Sequence, residues 1–450
     1  MKHKRIPALI RLVLFCAGIL FLFSCGAQPA EPEPALPETS APAPETETAP
    51  EENEESETSE AEFPAVELTL PEEASVWAAL YEDRFGLGSA DGVILTPEEI
   101  AERNRAVIES CPTVVDLSSP SSLSSSELDA EIAALEWRAG DRYDREGVLI
   151  DTVMRDAVLL NRAADSAAEP ENTPAVVVRR CDMKSLPTEL DAFSYGDTQY
   201  SDLQLTELIV GMPVRILRPS ADGAFLYVQC PNYRGWIPAD ACALCSEEDF
   251  SRFLDPESFA TVVSPRLVFD GTVLDMGVRL PLDSEDAETV SVLLPVRDAD
   301  GRLAAAAAAL SKTDAVRGTL PYTVKNFFRQ AFSCLGIDYG WGGADGGLDC
   351  SGFVCAVMRS FGFLLPRDTR EQKVYAGEIR PTAGMTADEL SSLLSELDVP
   401  AAIYTASHVM LYLGEKDGVH TVIHAPQAGE VVCTANFDPS LPTISLAVFH

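Results

Sequence analysis

The chain has 450 residues, which at roughly 150 residues per domain allows about three domains, and 46% of its residues are hydrophobic. This composition excludes a wholly disordered, collagenous or multi-span membrane protein. With 33 basic and 71 acidic residues, the net charge is 33 − 71 = −38. We expect no nucleic-acid partner, because phosphate binding requires a basic surface that this excess of carboxylates opposes.

Residues 1–25 have the pattern of an export signal. Four basic residues precede an apolar run over 12–23, too short to span a bilayer comfortably, and Ser24 and Cys25 follow it. The sequence Leu-Phe-Ser-Cys at 22–25 resembles a bacterial lipoprotein signal, which implies that Cys25 is lipidated and becomes the new N-terminus. A plain secretory signal and an uncleaved anchor are the alternatives. All three place the remaining chain outside the cytoplasm, and lipidation would attach it to the bacterial cell membrane.

Residues 26–63 have the composition of a disordered linker. They contain twelve glutamates and seven prolines but no lysine or arginine. Such a segment cannot bury enough apolar surface to offset chain entropy, and its like charges repel. We therefore expect an extended acidic tether here.

Residues 64–172 are predicted to form a helical module without catalytic residues. Thr96, Pro97 and Glu99 have the spacing of a capping box at a helix start. Apolar residues at helical spacing follow over 100–108 and again over 128–135.

Residues 173–320 change to the alternating pattern of short β-strands. Strand-like runs separated by glycine and proline turns predict a small barrel over 173–250, and the sequence over 211–237 resembles a bacterial SH3-type domain. A second set of strand-like runs predicts a second SH3-type barrel over 251–320.

Beyond residue 320 the pattern becomes α+β, and residues with catalytic potential concentrate there. Asp349, Cys350 and Ser351 follow a glycine-rich turn and precede an apolar helical segment. Cys350 therefore lies at or near a helix N-terminus, where the helix dipole is expected to lower the thiol pKa from about 8.5. A nucleophilic cysteine also requires a base.

Two histidines on a predicted hairpin supply that base. The hairpin covers residues 401–425 and has a turn at 414–418. If this five-residue turn closes the hairpin symmetrically, His408 and His424 are cross-strand neighbours on one face. We predict that His408 accepts the Cys350 proton and that His424 orients the His408 ring.

His420 is the competing histidine on the same hairpin. It lies four residues before His424, so its side chain is expected on the same face of the strand. In the symmetrical register it is expected to face Tyr412 instead of the thiol.

Several motifs over residues 321–450 occur in an order that marks one family. They are Tyr-Gly-Trp-Gly-Gly at 339–343, Asp-Cys-Ser-Gly at 349–352, Leu-Pro-Arg-Asp-Thr at 365–369, Gln372, His-Val-Met-Leu-Tyr-Leu-Gly at 408–414 and Ile-His-Ala at 423–425. Together they resemble the NlpC-type cell-wall cysteine peptidases of the papain-like superfamily. With the helical module and the SH3-type barrels upstream, the chain resembles the members that hydrolyse the bond between γ-D-glutamate and the diamino acid of murein stem peptides.

The resemblance implies a multidomain α+β protein, in which a papain-like catalytic domain over 321–450 follows two small SH3-type barrels and a helical module. It implies Cys350 as the nucleophile, His408 as the base and His424 as the third member, with no metal and no cofactor. The residues that it implies for substrate binding are Tyr339, Asp349 and Ser351. Tyr339 would also help to hold the oxyanion, and helix capping is the alternative role of the other two.

The resemblance also implies a substrate and its site. Murein stem peptides or peptidoglycan fragments are the expected partners, with a preference for short peptides whose N-terminal L-alanine has a free amine. The expected site is the junction of the first barrel and the catalytic domain, and a monomer is expected. An acidic residue of the first barrel should bind the amine, and Glu207 and Asp222 both remain candidates. Trp341, Arg367 and Gln372 are interpreted as packing or loop-fixing residues.

Two alternatives remain open. An N-acetylmuramoyl-L-alanine amidase or another acyl transferase of the same superfamily would use the same cysteine–histidine geometry. A non-catalytic cell-wall-binding lipoprotein would use only the barrels and the tether. The intact set of Cys350, His408 and His424 argues against the second alternative.

Overall fold

The computed structural model describes residues 72–85, 91–162 and 168–450. The predicted signal peptide with Cys25, the acidic linker over 26–63 and the first residues of the predicted helical module lie outside these ranges. Within them, no helix combines the length and the apolar character needed to cross a lipid bilayer.

The N-terminal region is mainly helical within the described ranges. Its elements are α1 (Glu72–Phe85), β1 (Val93–Leu95), α2 (Pro97–Ser110), α3 (Ser125–Ala134) and α4 (Thr152–Asn161). The capping box predicted at the start of α2 is confirmed, because Thr96 and Glu99 each accept a hydrogen bond from the other's backbone N–H. The region is not separate from the rest of the protein, since β1 pairs with the strand Tyr322–Thr323. Leu95 and Ile100 also belong to the core of the C-terminal domain.

The first β module follows. Its strands are β2 (Thr173–Val177), β3 (Cys181–Lys184), β4 (Gln204–Leu208), β5 (Pro213–Pro219), β6 (Phe225–Cys230), β7 (Tyr233–Pro238) and β8 (Cys242–Leu244). They form one sheet in the order β4-β3-β7-β6-β5-β2-β8. Val214, Ile216 and Val228 point into its apolar core, as the alternating pattern predicts. The long loop between β3 and β4 carries Tyr200, which contacts the C-terminal domain.

Helix α5 (Glu247–Leu254) leads to a second β module. Its strands are β9 (Phe259–Val262), β10 (Arg266–Phe269), β11 (Thr272–Asp275), β12 (Arg279–Glu285), β13 (Thr289–Arg297), β14 (Leu303–Ser311) and β15 (Ala315–Arg317). Five of them form a sheet in the order β14-β13-β12-β9-β15, and β10 pairs with β11 as a hairpin. Val262, Leu280 and Val292 lie in the core of this module.

The C-terminal domain begins with β16 (Tyr322–Thr323) and combines helices with a six-stranded sheet. Its helices are α6 (Val324–Ser333), α7 (Cys350–Arg359), α8 (Thr369–Tyr375) and α9 (Ala387–Ser395). Its other strands are β17 (Glu378–Pro381), β18 (Ala401–Tyr404), β19 (Val409–Lys416), β20 (Val419–His424), β21 (Cys433–Phe437) and β22 (Ser445–Val448). The sheet order is β17-β22-β18-β19-β20-β21. α6 and α7 share one core with Leu411 of β19, whereas α9 shares another with Tyr412, so the helices cover opposite faces of the sheet.

The β19–β20 hairpin differs from its prediction. Its turn has two central residues, Asp417 and Gly418, with φ values of 53° and 79°, which is the backbone that tight hairpins require. The ladder therefore starts with Lys416 opposite Val419, and the predicted symmetrical register is wrong. A bulge between Tyr412 and Gly414 then shifts the ladder by one residue. A one-residue slip exchanges the two faces of a strand. The shift therefore returns His408 and His424 to the same face of the hairpin, as predicted.

Candidate active site

Cys350 is the first residue of α7, and the residue before it caps this helix. Oδ1 of Asp349 accepts a hydrogen bond from the backbone N–H of Gly352 at 2.6 Å. The preceding turn requires glycine at Gly343, which has a φ of 78°. A Cβ built there would overlap a carboxylate oxygen of Glu207 on β4. The glycine therefore allows the turn to approach the first β module while it positions the thiol at the helix N-terminus.

His408 and His424 are neighbours, as predicted. The distance from His408 Nε2 to His424 Nδ1 is 2.8 Å, and the two ring planes are inclined by 69°. His408 directly precedes β19, and His424 ends β20. The backbone N–H of Val409 interacts with the Cys350 sulfur. The start of α7 therefore lies against the start of β19, next to His408.

Burial determines the protonation states of the thiol and the imidazole. It raises the pKa of Cys350 to about 12, and the Asp349 carboxylate adds to this effect. It lowers the pKa of His408 to about 4, and His424 adds to that effect. The prediction that the helix N-terminus lowers the thiol pKa is therefore wrong. Cys350 is only 8% exposed. The loss of hydration disfavours the thiolate more than the helix dipole favours it. At neutral pH the free site holds a neutral thiol and a neutral imidazole.

Arg367 organises the N-terminus of α7. Its guanidinium donates to both carboxylate oxygens of Asp349, at 3.0 and 2.8 Å, and to the Ser351 hydroxyl at 3.0 Å. Burial acts to raise the pKa of Asp349, but the charge and hydrogen bonds of Arg367 outweigh it and lower the pKa. Asp349 and Ser351 are both buried and held within this network. Their predicted contact with substrate stays a prediction.

The same guanidinium joins the C-terminal domain to the first β module. Its Nε donates to the Thr206 hydroxyl at 2.7 Å, and its Nη2 donates to the Glu207 carboxylate at 3.2 Å. Asp222, the other candidate for binding an amine, lies in a turn and accepts a hydrogen bond from the Ser220 hydroxyl at 2.6 Å. Of the two candidate acids, Glu207 is the one that contacts the C-terminal domain.

Tyr200 contributes a wall that no sequence pattern identifies. Its ring centre lies 6.2 Å from that of Tyr339 and 5.5 Å from that of Trp341. Its hydroxyl accepts a hydrogen bond from the backbone N–H of Ala428 at 3.0 Å. Tyr200 and Trp341 are both 37% exposed, so this aromatic cluster faces solvent. Tyr200 lies in an irregular loop, where periodicity carries no signal.

Tyr339 lies at the inner end of this aromatic wall. Burial raises its pKa, and the charges of Asp349 and Cys350 add to the effect. This electrostatic coupling places the phenol in the surroundings of the thiol, where the sequence predicts a pocket residue.

The arrangement has the components of a cysteine–histidine nucleophilic pair with an orienting third group. Such a pair transfers acyl groups through a thioester. In the parts of the chain that the structure describes, no group of three or more His, Cys, Asp or Glu side chains is placed to hold a metal ion.

Comparison with known protein families identifies two of the domains. Residues 336–440 match the NlpC/P60 family, and residues 191–238 match the SH3 domain of the SH3b1 type. The chain thus contains an NlpC/P60 domain and an SH3b-type domain, as its motifs predict.

Two curated relatives share sequence with the chain. A γ-D-glutamyl-L-lysine dipeptidyl-peptidase of Bacillus subtilis (strain 168) is 32% identical over 111 residues, which cover 24% of this chain and 34% of that protein. A protein of the same name from Bacillus cereus (strain ATCC 10987 / NRS 248) is 25% identical over 284 residues, which cover 56% of this chain and 78% of that protein. The chain therefore spans about a third of the length of the first relative and more than three quarters of the second.

A solved structure has a similar fold. An NlpC/P60 endopeptidase from Photobacterium damselae subsp. piscicida superposes with a TM-score of 0.61 at 20% sequence identity, over 81% of this chain and 89% of that one. Together with the domain matches, this likeness confirms the predicted multidomain α+β architecture with a papain-like domain. The family match and the two relatives named as peptidases support the prediction of a cysteine hydrolase.

Proposed function

We propose that the protein is a cysteine peptidase of bacterial cell-wall peptides that cleaves the bond between γ-D-glutamate and the following diamino acid. The observation that carries this proposal is the position of Cys350 at the start of α7, where its sulfur interacts with the backbone N–H of Val409, the residue after His408. The His408 ring lies 2.8 Å from His424. The NlpC/P60 match and the names of the two relatives support the substrate class.

Cys350 begins the proposed reaction. Its sulfur attacks the γ-glutamyl carbonyl carbon while His408 accepts the thiol proton. Because the pKa of the thiol is raised to about 12 and that of His408 is lowered to about 4, the ion pair is disfavoured before substrate binds. Proton transfer therefore accompanies the attack. His408 then protonates the leaving amine, and it deprotonates the water that hydrolyses the thioester and regenerates the thiol.

His424 fixes the orientation of the base. Its contact involves Nε2 of His408 and leaves Nδ1 to accept the thiol proton. Burial lowers the pKa of His424, and Glu430 opposes this change. With both rings neutral, the hydrogen bond between them selects the tautomer of His408 that can act as a base.

The substrate site that we propose lies between the two domains. The backbone N–H groups at the start of α7 and the Tyr339 hydroxyl are suitable donors for the oxyanion. Tyr200 and Trp341 provide an aromatic wall, and Glu207 provides a carboxylate at the same junction. A short peptide with a free N-terminal L-alanine fits this combination, because a cationic amine favours a nearby carboxylate.

Mass spectrometry of defined peptides tests this proposal. The full chain and its Cys350→Ala variant are incubated with L-Ala-γ-D-Glu-diamino-acid peptides that have free or acetylated N-termini. Release of L-Ala-D-Glu by the unaltered chain alone, and from the free amine alone, is the expected result. Cleavage of both peptides would contradict the amine preference. Cleavage of neither by a folded chain would contradict the peptidase assignment.

We also propose that the chain is exported and lipidated at Cys25. The basic, apolar and cysteine-terminated pattern of residues 1–25 supports this localisation. Growth of a bacterial host with an alkyne fatty acid should label the chain but not its Cys25→Ala variant. An unlabelled chain that is found in the medium would favour a plain secretory signal instead.

A further inference from the structure

A groove that shares Glu207 and Arg367 with the candidate active site lies between α2, the two β modules and the C-terminal domain. It has a volume of about 690 Å³, within the usual range for small-molecule sites of about 300–1,000 Å³. Cys355 and Arg359 of α7 line it, whereas Cys350, His408 and His424 do not. The groove therefore offers a second place where a ligand could bind.

Arg279, the first residue of β12, is the unusual polar group of this groove. Its guanidinium carbon lies 4.0 Å from the centre of the Phe259 ring, and its Nε is buried without a hydrogen-bond partner. Burial lowers the pKa of Arg279, and the charge of Asp255 opposes this change without forming an ion pair. In the part of the chain that the structure describes, Nε is the nitrogen of this guanidinium that is buried without a hydrogen-bond partner, whereas Arg279 as a whole is half-buried. A buried N–H group without a partner is costly, and a half-buried guanidinium in a groove is open to an anionic ligand.

Arg215 shows what the missing partner is. It is more deeply buried than Arg279, and its guanidinium also stacks on an aromatic ring, that of Phe250, at 4.4 Å. It forms two hydrogen bonds with the Glu247 carboxylate, at 2.6 and 3.0 Å. Arg279 has the aromatic support but not the carboxylate, although a guanidinium is matched in shape to a carboxylate.

The remaining walls define the rest of the ligand. Ile100 of α2 and Phe361, Phe363 and Leu365 of the C-terminal domain provide apolar surface. Asp116 and Asp255 also line the groove. Arg105, Arg359 and Arg367 line it as well, so the groove contains charges of both signs.

We propose that this groove binds a molecule with one carboxylate, held by the guanidinium of Arg279, and an apolar body, held against the Ile100 and Phe361 walls. The C-terminal end of an apolar peptide and a fatty acid share this chemistry. The groove also reaches Arg367, so a bound ligand would contact the residue that holds Asp349.

Isothermal titration calorimetry on the full chain carrying Cys350→Ala tests the proposal. The probes are N-acetyl-Ala-Leu-Ala with a free C-terminus, the same peptide as its C-terminal amide, and octanoate. We expect at least one carboxylate to bind. If the peptide binds, its amide should bind at least tenfold more weakly, and if octanoate binds, octanamide serves as the matched neutral probe. The carboxylate that binds identifies the source of the ligand.

Two variants assign the binding to this groove. Arg279→Gln should weaken carboxylate binding at least tenfold, and Arg302→Gln, an exposed arginine of the same β module, should leave it unchanged. Equal binding of a carboxylate and its amide, equal affinity in Arg279→Gln, or no binding of either carboxylate would overturn the proposal. If Arg279→Gln fails to fold, as judged by circular dichroism, the comparison of acid with amide still decides between these outcomes.

Discussion

The two ends of the β19–β20 hairpin each hold a histidine in a polar contact, but with different neighbours. At the open end, His408 contacts His424 at 2.8 Å beside Cys350. Near the turn, His420 lies between the Tyr412 hydroxyl, 2.8 Å from its Nδ1, and the hydroxyl of a serine on α9, 2.7 Å from its Nε2. Both ring nitrogens of His420 are thus engaged with neutral hydroxyl groups. In His408, Nε2 contacts His424, and Nδ1 is the nitrogen that we propose as the base.

The difference shows that the covering helix, and not the position along the strand, determines which histidine is available for chemistry. His420 and His424 lie four residues apart on β20 and share a face, because side chains alternate along a strand. Helix α9 covers the His420 end through Ser391. The other end lies beside the N-terminus of α7.

The largest expected effect is a loss of activity when the residues at the open end of the hairpin are changed. Cys350→Ala and His408→Ala should each lower kcat/KM for the stem peptide by about four orders of magnitude, because nucleophile and base act as one unit. Cys355→Ala, which alters another buried cysteine of α7, is the matched control and should retain activity. Peptide cleavage followed by mass spectrometry measures the rates. A loss below tenfold in either of the first two variants would remove the pair from the mechanism.

His424 should have a smaller effect than the base that it orients. We expect His424→Ala to lower kcat by about a hundredfold with little change in KM, because the general base remains but its tautomer is no longer fixed. His424→Asn, which keeps a hydrogen-bonding group near His408, should recover part of the loss. Equal activity of the two variants would contradict an orienting role.

The pH dependence of stability should distinguish His408 from the other histidines. Its pKa is lowered from 6.5 to about 4 in the folded protein, so between these values the unfolded chain binds more protons. Stability is therefore lost as the pH falls through this window, by about 2–3 kcal/mol from this group. Urea unfolding at about pH 7 and about pH 4 should show a smaller loss for His408→Asn than for the unaltered chain. An identical loss in both proteins would contradict the buried neutral state of His408.

The smallest expected effect concerns His420, near the turn of the β19–β20 hairpin. His420→Gln should lower the free energy of unfolding by about 1–2 kcal/mol, and Ser391→Ala by about 1 kcal/mol, because each removes a partner from a buried hydrogen bond. Activity should stay within about twofold of the unaltered chain in both variants. A large drop in kcat for a stable His420→Gln variant would show that the two ends are functionally coupled.

The local chemistry of the site follows from sequence more readily than its geometry does. Motif order and helix capping predict Cys350 at the start of α7, and strand parity predicts that His408 and His424 meet. The register itself is not predictable here, because Val409–Leu413 is buried on both faces and offers no alternation to reveal a bulge. The thiol pKa is also missed, since burial depends on the packing around the whole site and not on the helix alone.

Contacts between segments that are far apart in the sequence are the other feature that the sequence does not predict. Nothing in the sequence near Arg367 indicates that Thr206 and Glu207 will be its partners, and the pairing of β1 with β16 is equally non-local. These contacts depend on how the modules pack together. Periodicity within one element carries no information about such packing.

The contact of Tyr200 with Trp341 and with the Ala428 backbone has a consequence for the order of assembly. The ribosome makes the first β module before the NlpC/P60 domain, so Tyr200 and Glu207 are synthesised before Trp341 and Arg367, which they contact. The complete cleft forms only when both modules have folded and docked. An excised C-terminal domain would keep Cys350 and lose one side of the cleft that we propose as the substrate site, so we expect exchange of the first β module between related chains to alter substrate selection.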